Sequence, residues 1–327
     1  LLTLRLRDLD LRLERTWLER CVHRLYEELD ARGVRFRPHV WLSNEWFSPD
    51  GVPGIAIPFF LAHPRLIRLE QQMMLEAEGS TESSCMRLLR HEAGHAIDTA
   101  YRLHFKRRWR ETFGRFSEPY PDVYKPNPAS RRHVLHLDSW YAQAHPAEDF
   151  AETFAVWLRP RSDWRRRYRD WPVALRKLHV VREMILGDVA DQPVKVRSRA
   201  RVDPTNRSNE TLGEFYAAKR ERYGVQWSDV YDRDLLRAFS ADSADRRRPS
   251  AAGFLRRMRV EARTAVAEWS GAHPYTVDQV LREIIERCRE LGLRLRTAEA
   301  RAKTDALLLL TVHVMNCQHV RRQEIPL

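Results

Sequence analysis

The stretch His91-Glu92-Ala93-Gly94-His95 decides how the rest of the sequence is interpreted. It matches the pattern H-E-x-x-H, and it lies within residues 83–104, which are predicted to form a helix. Residues four apart lie on the same face of a helix, so His91 and His95 can present two imidazoles to one metal ion. Glu92 is rotated by about 100° from His91 and can reach a water molecule beside that ion.

The residue types favour zinc as the cofactor. Imidazole nitrogens are good zinc ligands, and a catalytic zinc site combines three protein ligands with one open position. Apolar residues at helical spacing surround the motif and predict a buried helix: Leu88, Leu89, Ala93, Ala96, Ile97 and Ala100. The alternative is a surface helix with two solvated histidines, and this apolar pattern argues against it.

A second acidic segment can supply the third ligand. The sequence predicts a helix from about Pro146 to Leu158, in which Glu148 and Glu152 share one face beside apolar residues. Two carboxylates next to the core are costly unless they are compensated, and a metal ion with its bound imidazole would compensate them. An amphipathic helix with a solvated acidic stripe is the alternative.

The two motifs together resemble the gluzincin metallopeptidases, and among these the lethal-factor-like group and bacterial zinc-binding metallopeptidases. The resemblance covers about 70 of the 327 residues. It implies that His91, His95 and Glu148 bind zinc and that Glu152 orients a ligand histidine without binding the metal. In the lethal-factor-like group a tyrosine seven residues before the ligand glutamate stabilises the transition state, and Tyr141 holds that position here.

Related metallopeptidase patterns do not fit. The metzincin pattern H-E-x-x-H-x-x-G-x-x-H needs glycine and histidine where this chain has Asp98 and Tyr101. The DNA–protein crosslink proteases keep a third histidine close by and often a zinc ribbon. The four cysteines stand at 21, 85, 288 and 317, so no C-x-x-C pair exists to form a ribbon.

The sequence therefore predicts a zinc-dependent peptidase, a hydrolase acting on a peptide or protein substrate. A zinc-activated water would attack the peptide bond, with Glu92 as the general base and Tyr141 donating a hydrogen bond to the developing oxyanion. Residues 54–61 are expected to be the edge strand that pairs with an extended substrate, which makes Ile55 and Ile57 candidate substrate contacts.

Several polar residues near the motifs have two interpretations. Arg131 and Arg132 could hold a substrate carboxylate or form a solvated basic pair. The histidines at 133, 136 and 145 are expected to be ordinary loop residues, with substrate contact open for His136. Asp98 lies three residues beyond His95 and is expected to form a salt bridge or to orient a ligand histidine.

The composition limits the choice of partners and location. The formal net charge of +12 favours acidic partners, including an acidic peptide substrate. Nucleic acid is not favoured, because the charge is spread along the chain and no nucleic-acid-binding motif is present. The scattered cysteines, the absence of a signal-peptide pattern and the shortness of the apolar run 307–310 predict a cytoplasmic protein without membrane insertion. The sequence does not indicate an oligomeric state.

Two functions other than peptidase activity agree with parts of the sequence. An inactive binding protein with a zincin fold is one, and the presence of Glu92 argues against it, since an inactive copy would most readily lose that residue. A basic protein associated with nucleic acid is the other. Strong salt dependence of DNA binding would favour it.

The predicted fold class is α+β. A zincin-like catalytic domain, with a small sheet and the H-E-x-x-H helix, is expected over residues 1–200, and a mainly helical domain over 205–327. Residues 1–13 alternate leucine with charged residues and predict an edge strand, and residues 194–203 are basic and predict a linker. Helices are predicted over 211–223, 251–269, 275–292 and 300–318.

Overall fold

A computed structural model describes the chain except residues 122, 125, 128, 139, 224–231, 321–324 and 327, and except the side chains of 123, 318–320, 325 and 326. The chain divides into two compact units. Unit 1 comprises residues 1–71, 77–213 and 326–327, and unit 2 comprises residues 72–76 and 214–325. The described part of the chain is rich in helices and has only short strands, which confirms the α+β class.

The elements up to residue 189 form most of unit 1, except that residues 72–74, at the end of the second helix, belong to unit 2. In chain order they are α1 (Trp17–Asp30), β1 (His39–Ser43), β2 (Gly54–Pro58), α2 (Pro64–Met74), α3 (Glu82–Tyr101), α4 (Arg107–Phe113), β3 (Val123–Tyr124), α5 (Pro146–Leu158), α6 (Trp164–Arg167) and α7 (Pro172–Met184), which continues as a π-helix (Ile185–Val189). Short 3-10 helices cover Leu6–Leu9, Phe59–Ala62, Leu103–Phe105, Tyr141–Gln143 and Thr205–Arg207.

Helix α3 carries the H-E-x-x-H motif, as predicted. It begins at a capping box in which the Thr81 hydroxyl accepts from the Ser84 amide and the Ser84 hydroxyl accepts from the Thr81 amide. It ends at Arg102, which adopts a left-handed conformation with φ +53°. The helix packs against α1, β2 and α5, so most of its residues are buried.

Gly94 allows α5 to approach α3 closely. A Cβ atom at this position would lie 2.8 Å from the Ala151 Cα, which is shorter than any normal contact. Only a residue without a side chain permits this helix–helix distance. Because Ala151 lies between Glu148 and Glu152 on α5, the close approach places both carboxylates opposite the motif histidines.

Strands β1 and β2 pair in parallel, with Val40 opposite Ile55. Every residue of β2 is buried, and on its other edge the Ala56 amide donates to the Phe47 carbonyl at 2.8 Å. The prediction of an open edge strand over residues 54–61 is therefore wrong, because both edges of β2 have backbone partners.

Two other expectations for unit 1 differ from the structure. Residues 1–13 form a 3-10 helix and a single antiparallel bridge between Arg5 and Thr211, and not a strand. Residues 194–203 are hydrogen bonded to β1: the side chains of His39, Trp41 and Ser43 bond to backbone carbonyls in this segment. Because this segment packs onto β1, unit 1 continues to residue 213, beyond the predicted boundary at 200–205.

Unit 2 is mainly helical. Its helices are α8 (Leu212–Tyr223), α9 (Asp232–Ala238), α10 (Ala251–Arg257), α11 (Arg259–Ser270), α12 (Pro274–Glu290) and α13 (Glu299–Val320). The first two residues of α8 belong to unit 1. Strand β4 (Phe239–Ser240) is antiparallel to β5 (Arg294–Leu295). A two-residue strand, β6 (Ile325–Pro326), follows. The helical prediction is confirmed, apart from α9, which was not predicted, and the division of 251–269 into α10 and α11. Among the described helices, none combines the length and apolar character needed to cross a membrane.

The core of unit 2 is formed by aliphatic residues of these helices. Val277, Leu281 and Ile284 of α12 are buried against residues of α10, α11 and α13. One charged residue of α12, Asp278, is fully buried and is surrounded by three arginines.

Candidate metal centre

Helices α3 and α5 bring together His91, His95 and Glu148, which we call the ligand cluster. The Glu148 Oε2 lies 3.0 Å from the His91 Nε2 and 3.2 Å from the His95 Nε2. The two Nε2 atoms are 3.2 Å apart. His91 and Glu148 are buried and His95 is partly exposed, so only His95 of the three ligand-cluster residues reaches solvent to any extent.

The geometry of the ligand cluster fits a zinc ion. Zinc–nitrogen and zinc–oxygen bonds of about 2.0–2.1 Å at tetrahedral angles separate neighbouring ligand atoms by about 3.3 Å. The three donor atoms have separations close to that value. Two imidazoles and one carboxylate are also the donor types expected of a catalytic zinc site.

Carboxylates control the electrostatics of the two histidines. Burial alone would lower the pKa of His91, but its contacts with Glu148 and Glu152 raise the pKa well above the ordinary value. The pKa of His95 is raised in the same way, against its burial, by Glu148. The two imidazoles in turn hold the pKa of Glu148 well below its usual range, although burial opposes this. Glu148 therefore stays ionised and favours positive charge in the cluster.

Glu152 lies behind His91 and does not face the cluster. Its Oε1 is 2.9 Å from the His91 Nδ1, and its Oε2 accepts a hydrogen bond from the Leu137 amide at 2.8 Å. Both carboxylate oxygens thus have partners, and the side chain is fully buried. With Nδ1 held in this way, His91 presents Nε2 to the cluster.

The backbone around Leu137 is itself fixed to α3. The Arg87 guanidinium donates to the His136 carbonyl and, at 3.2 Å, bonds to Asp138. The His136 Nε2 bonds in return to the Arg87 carbonyl at 2.9 Å. His136 therefore has a structural contact in this loop, and the loop positions the amide that binds Glu152.

Glu92 is buried beside the ligand cluster, and its Oε2 has no hydrogen-bond partner among the described residues. Burial raises the pKa of this carboxyl, and the nearby His91 and His95 act to lower it. A buried carboxylate oxygen without a partner is costly unless a ligand or water molecule uses it. This oxygen is therefore available to a molecule that enters the site.

Three tyrosines surround the cluster. The Tyr141 ring centroid is 5.6 Å from that of His91 and 6.2 Å from that of Tyr124. Burial and the charge of Glu148 raise the pKa of Tyr141, so its hydroxyl stays protonated and can donate a hydrogen bond. The Tyr120 hydroxyl donates to the Glu148 Oε1 at 2.9 Å, and its ring stacks on His145 with centroids 3.9 Å apart.

The contact between Tyr120 and Glu148 was not predicted from the sequence. It lies 28 residues before Glu148, in a loop rich in Pro, Tyr and Ser, and no spacing rule connects it to the ligand glutamate. The contact fixes Glu148 so that Oε2 faces the histidines. His145 supports Tyr120 from the other side and also caps α5 by accepting from the Ala147 amide.

Other predicted residues lie away from the cluster. Ile55 and Ile57 are fully buried, so the prediction that they contact substrate is wrong for both side chains. The side chains of Arg131 and Arg132 are exposed and form no hydrogen bond or ion pair with another described residue, which fits the solvated basic pair. Asp98 bonds to His104 at 2.7 Å and not to a ligand histidine.

In a comparison with known proteins, one family model matches the part of the chain that contains the ligand cluster. The model described as "Putative zinc-binding metallo-peptidase" matches residues 82–182, a segment that contains α3, α5 and all three ligand-cluster residues. No curated protein and no solved structure matches the chain. The match and the arrangement of His91, His95 and Glu148 support a metallopeptidase family for this chain.

Proposed function

We propose that this protein is a zinc-dependent peptidase of the gluzincin type, with a zincin-like catalytic domain in unit 1. The observation that carries the proposal is the convergence of His91, His95 and Glu148 beside Glu92, whose buried Oε2 has no partner among the described residues. A glutamate from a second helix as the third ligand is the feature that favours the gluzincin type. The lethal-factor-like group is favoured by Tyr141, whose ring lies beside His91.

His91, His95 and Glu148 would hold the zinc ion through the two Nε2 atoms and the Glu148 Oε2. Zinc, when bound, supplies a Lewis acid that polarises a scissile carbonyl and makes a water molecule more acidic. Glu152 keeps the His91 Nδ1 bonded and thereby fixes the imidazole orientation. Tyr120 donates a hydrogen bond to the Glu148 Oε1 and thereby fixes the orientation of that carboxylate.

Glu92 is the residue we assign as the general base. It accepts a proton from the attacking water and later delivers that proton to the leaving amine. Its buried position raises its pKa, which suits a group that must both accept and release a proton. Tyr141, kept protonated, donates a hydrogen bond to the oxygen on which negative charge develops.

The substrate class we assign is a peptide or protein, and the net charge of +12 favours acidic sequences. Strand addition to β2 is not part of the proposal, because both edges of β2 have backbone partners. A peptide library with acidic, neutral and basic members would test the preference directly.

The substitution Glu92→Gln tests the proposed function. It removes the base but leaves the three ligands in place, so we expect zinc content to be unchanged and kcat on an unstructured protein substrate to fall by about 10²–10⁴-fold. Glu111→Gln serves as the matched control, because Glu111 is exposed on α4 and pairs with Arg107. A Glu92→Gln protein that cleaves as fast as the wild type would refute the assignment of the base.

A further inference from the structure

A cavity in unit 1, with a volume of about 790 Å³, contains none of the ligand-cluster residues in its lining. It lies between the segment that precedes β1, the end of α3 and residues 190–199. Its volume is in the range of small-molecule sites, about 300–1,000 Å³. The cavity is thus large enough for a ligand of its own.

The lining of this cavity is strongly basic. It contains Arg35, Arg37, Arg197 and Arg199 against a single acidic residue, Asp191, which leaves three positive charges when His39 is neutral. Arg35 lies 3.9 Å from Asp191, and Arg37 bonds at 2.8 Å to Asp30, which is not in the lining.

Two of these arginines have no counter-ion. Within the described part of the chain, neither Arg197 nor Arg199 forms a hydrogen bond or a salt bridge through its guanidinium group, and both are exposed. Their donors are therefore available to an anion. Guanidinium groups bind phosphate and carboxylate oxygens in a bidentate manner.

A tyrosine in the same cavity adds a neutral hydrogen-bond donor to the charged ones. Tyr101, the last residue of α3, is 2% exposed and lines the cavity. Its ring packs edge-on against Phe36, with centroids 6.1 Å apart, and its hydroxyl has no hydrogen-bond partner among the described residues. This hydroxyl is therefore available to donate to an anion in the cavity.

The walls of the cavity are fixed before any ligand binds. The amides of Lys195 and Val196 donate to the Ala100 carbonyl at 2.9 and 3.0 Å. On the other side, the His39 Nε2 bonds to the Ala200 carbonyl at 2.9 Å. These bonds hold the arginine-bearing segment against α3 and β1, so little ordering is needed on binding.

We propose that this cavity binds a small phosphate-bearing molecule. The two charges of Arg197 and Arg199 exceed what a single carboxylate requires, and they match a phosphate group, which carries about two negative charges and several acceptor oxygens. Arg197, Arg199 and the Tyr101 hydroxyl supply the donors. The apolar side chains of Phe36, Val194 and Val196 line the remainder and suit the organic part of the ligand.

Calorimetric titration of the full chain tests this site, with adenosine 5′-monophosphate and inorganic phosphate as the probes. We expect Arg197→Gln and Tyr101→Phe each to weaken binding of adenosine 5′-monophosphate by about tenfold. Tyr101→Phe leaves the charge unchanged and therefore separates a defined site from general attraction to a basic surface.

Two controls locate the binding. Arg65→Gln removes the same charge from an exposed arginine of α2 outside the cavity, and His91→Ala disrupts the ligand cluster. Both should bind the probe as the wild type does. If His91→Ala abolishes binding, the probe occupies the metal centre and the proposal is wrong.

The probes also distinguish the source of the phosphate. Tighter binding of adenosine 5′-monophosphate supports an organic phosphate, and equal or tighter binding of inorganic phosphate supports a free phosphate ion at the same arginines. Absence of binding by both probes at millimolar concentration would overturn the proposal. So would equal weakening by Arg65→Gln and Arg197→Gln with none by Tyr101→Phe.

Discussion

Asp278 in unit 2 and the pair Glu148 and Glu152 in unit 1 are all buried carboxylates, but their partners differ. Asp278 is fully buried and lies 2.5 Å from Arg259, 2.8 Å from Arg282 and 3.7 Å from Arg263. The chain itself supplies the positive charge. A buried carboxylate of this kind is a structural group and requires no external ion.

In unit 1, no lysine or arginine among the described residues forms an ion pair with Glu92, Glu148 or Glu152. Their ionisable partners are the two imidazoles of His91 and His95, which are neutral when they bind a metal. The three carboxylates therefore leave a local excess of negative charge. A divalent cation held by His91, His95 and Glu148 would balance it, and this difference from Asp278 supports our proposal that the cluster binds a metal ion.

The largest expected effect on stability is for Asp278→Ala. This change leaves three arginines around a position without a carboxylate and should lower the free energy of unfolding of unit 2 by about 3 kcal/mol. Zinc content should be unchanged. Denaturant unfolding followed with metal analysis checks both, and Glu299→Ala, which breaks the exposed pair with Arg257, is the control. Loss of zinc in Asp278→Ala would contradict the claim that Asp278 is a structural carboxylate with no part in metal binding.

Tyr141→Phe should have a large effect on catalysis alone. Its hydroxyl acts only when charge develops on the substrate, so kcat should fall by about ten- to a thousandfold while zinc content and KM stay nearly constant. Steady-state kinetics on the zinc-loaded protein measures this. Tyr124→Phe, which removes the hydroxyl of the tyrosine packed against Tyr141, shows whether the effect is specific to Tyr141. A Tyr141→Phe protein that loses zinc would contradict this role, and the choice of Glu148 as the third ligand, seven residues after Tyr141, would have to be reconsidered.

Glu152→Gln should weaken zinc binding by about 10- to 100-fold. The amide retains the size of the side chain but removes the charge that stabilises the Nδ1–H of His91. Competition with a chelator measures the affinity. Unchanged affinity would mean that the bonds from Glu152 to His91 and Leu137 serve the fold only.

Gly94→Ala should have a smaller effect, on the distance between the two helices. The new methyl group would meet the Ala151 backbone at 2.8 Å, so α3 and α5 must move apart. We expect a loss of about 1–3 kcal/mol in unfolding free energy and weaker zinc binding as Glu148 moves away from the histidines. Gly187→Ala is the control, because a Cβ there meets nothing within 4 Å. Equal stability of the two variants would show that α5 can adjust without cost.

Much of the site could be predicted because it depends on local spacing. His91 and His95 are four residues apart on one helix, and the α5 bounds agree with the predicted 146–158 because Pro146 begins the helix and apolar spacing continues to Leu158. Whether the predicted ligands and the base perform those roles stays a prediction.

The remaining features depend on tertiary contacts. Leucines that alternate with charged residues over 1–13 have the period of a strand. This segment instead forms a 3-10 helix over Leu6–Leu9, and its backbone hydrogen bonds to residues 208–213 form one bridge at Arg5. Ile55 and Ile57 belong to a strand whose far edge is covered by Phe47, and nothing in the sequence of residues 54–61 reveals that partner. Tyr120 reaches Glu148 from a loop with no regular spacing.

The most direct test of the central claim is the zinc content of the purified protein. The ligand cluster predicts about one zinc per chain in the wild type and depletion in both His91→Ala and Glu148→Ala. His23→Ala, an exposed histidine on α1, should retain full occupancy and serves as the control. Full zinc occupancy in both cluster variants, or a wild-type protein that takes up no zinc, would contradict the claim that this group of buried carboxylates and imidazoles is a metal centre.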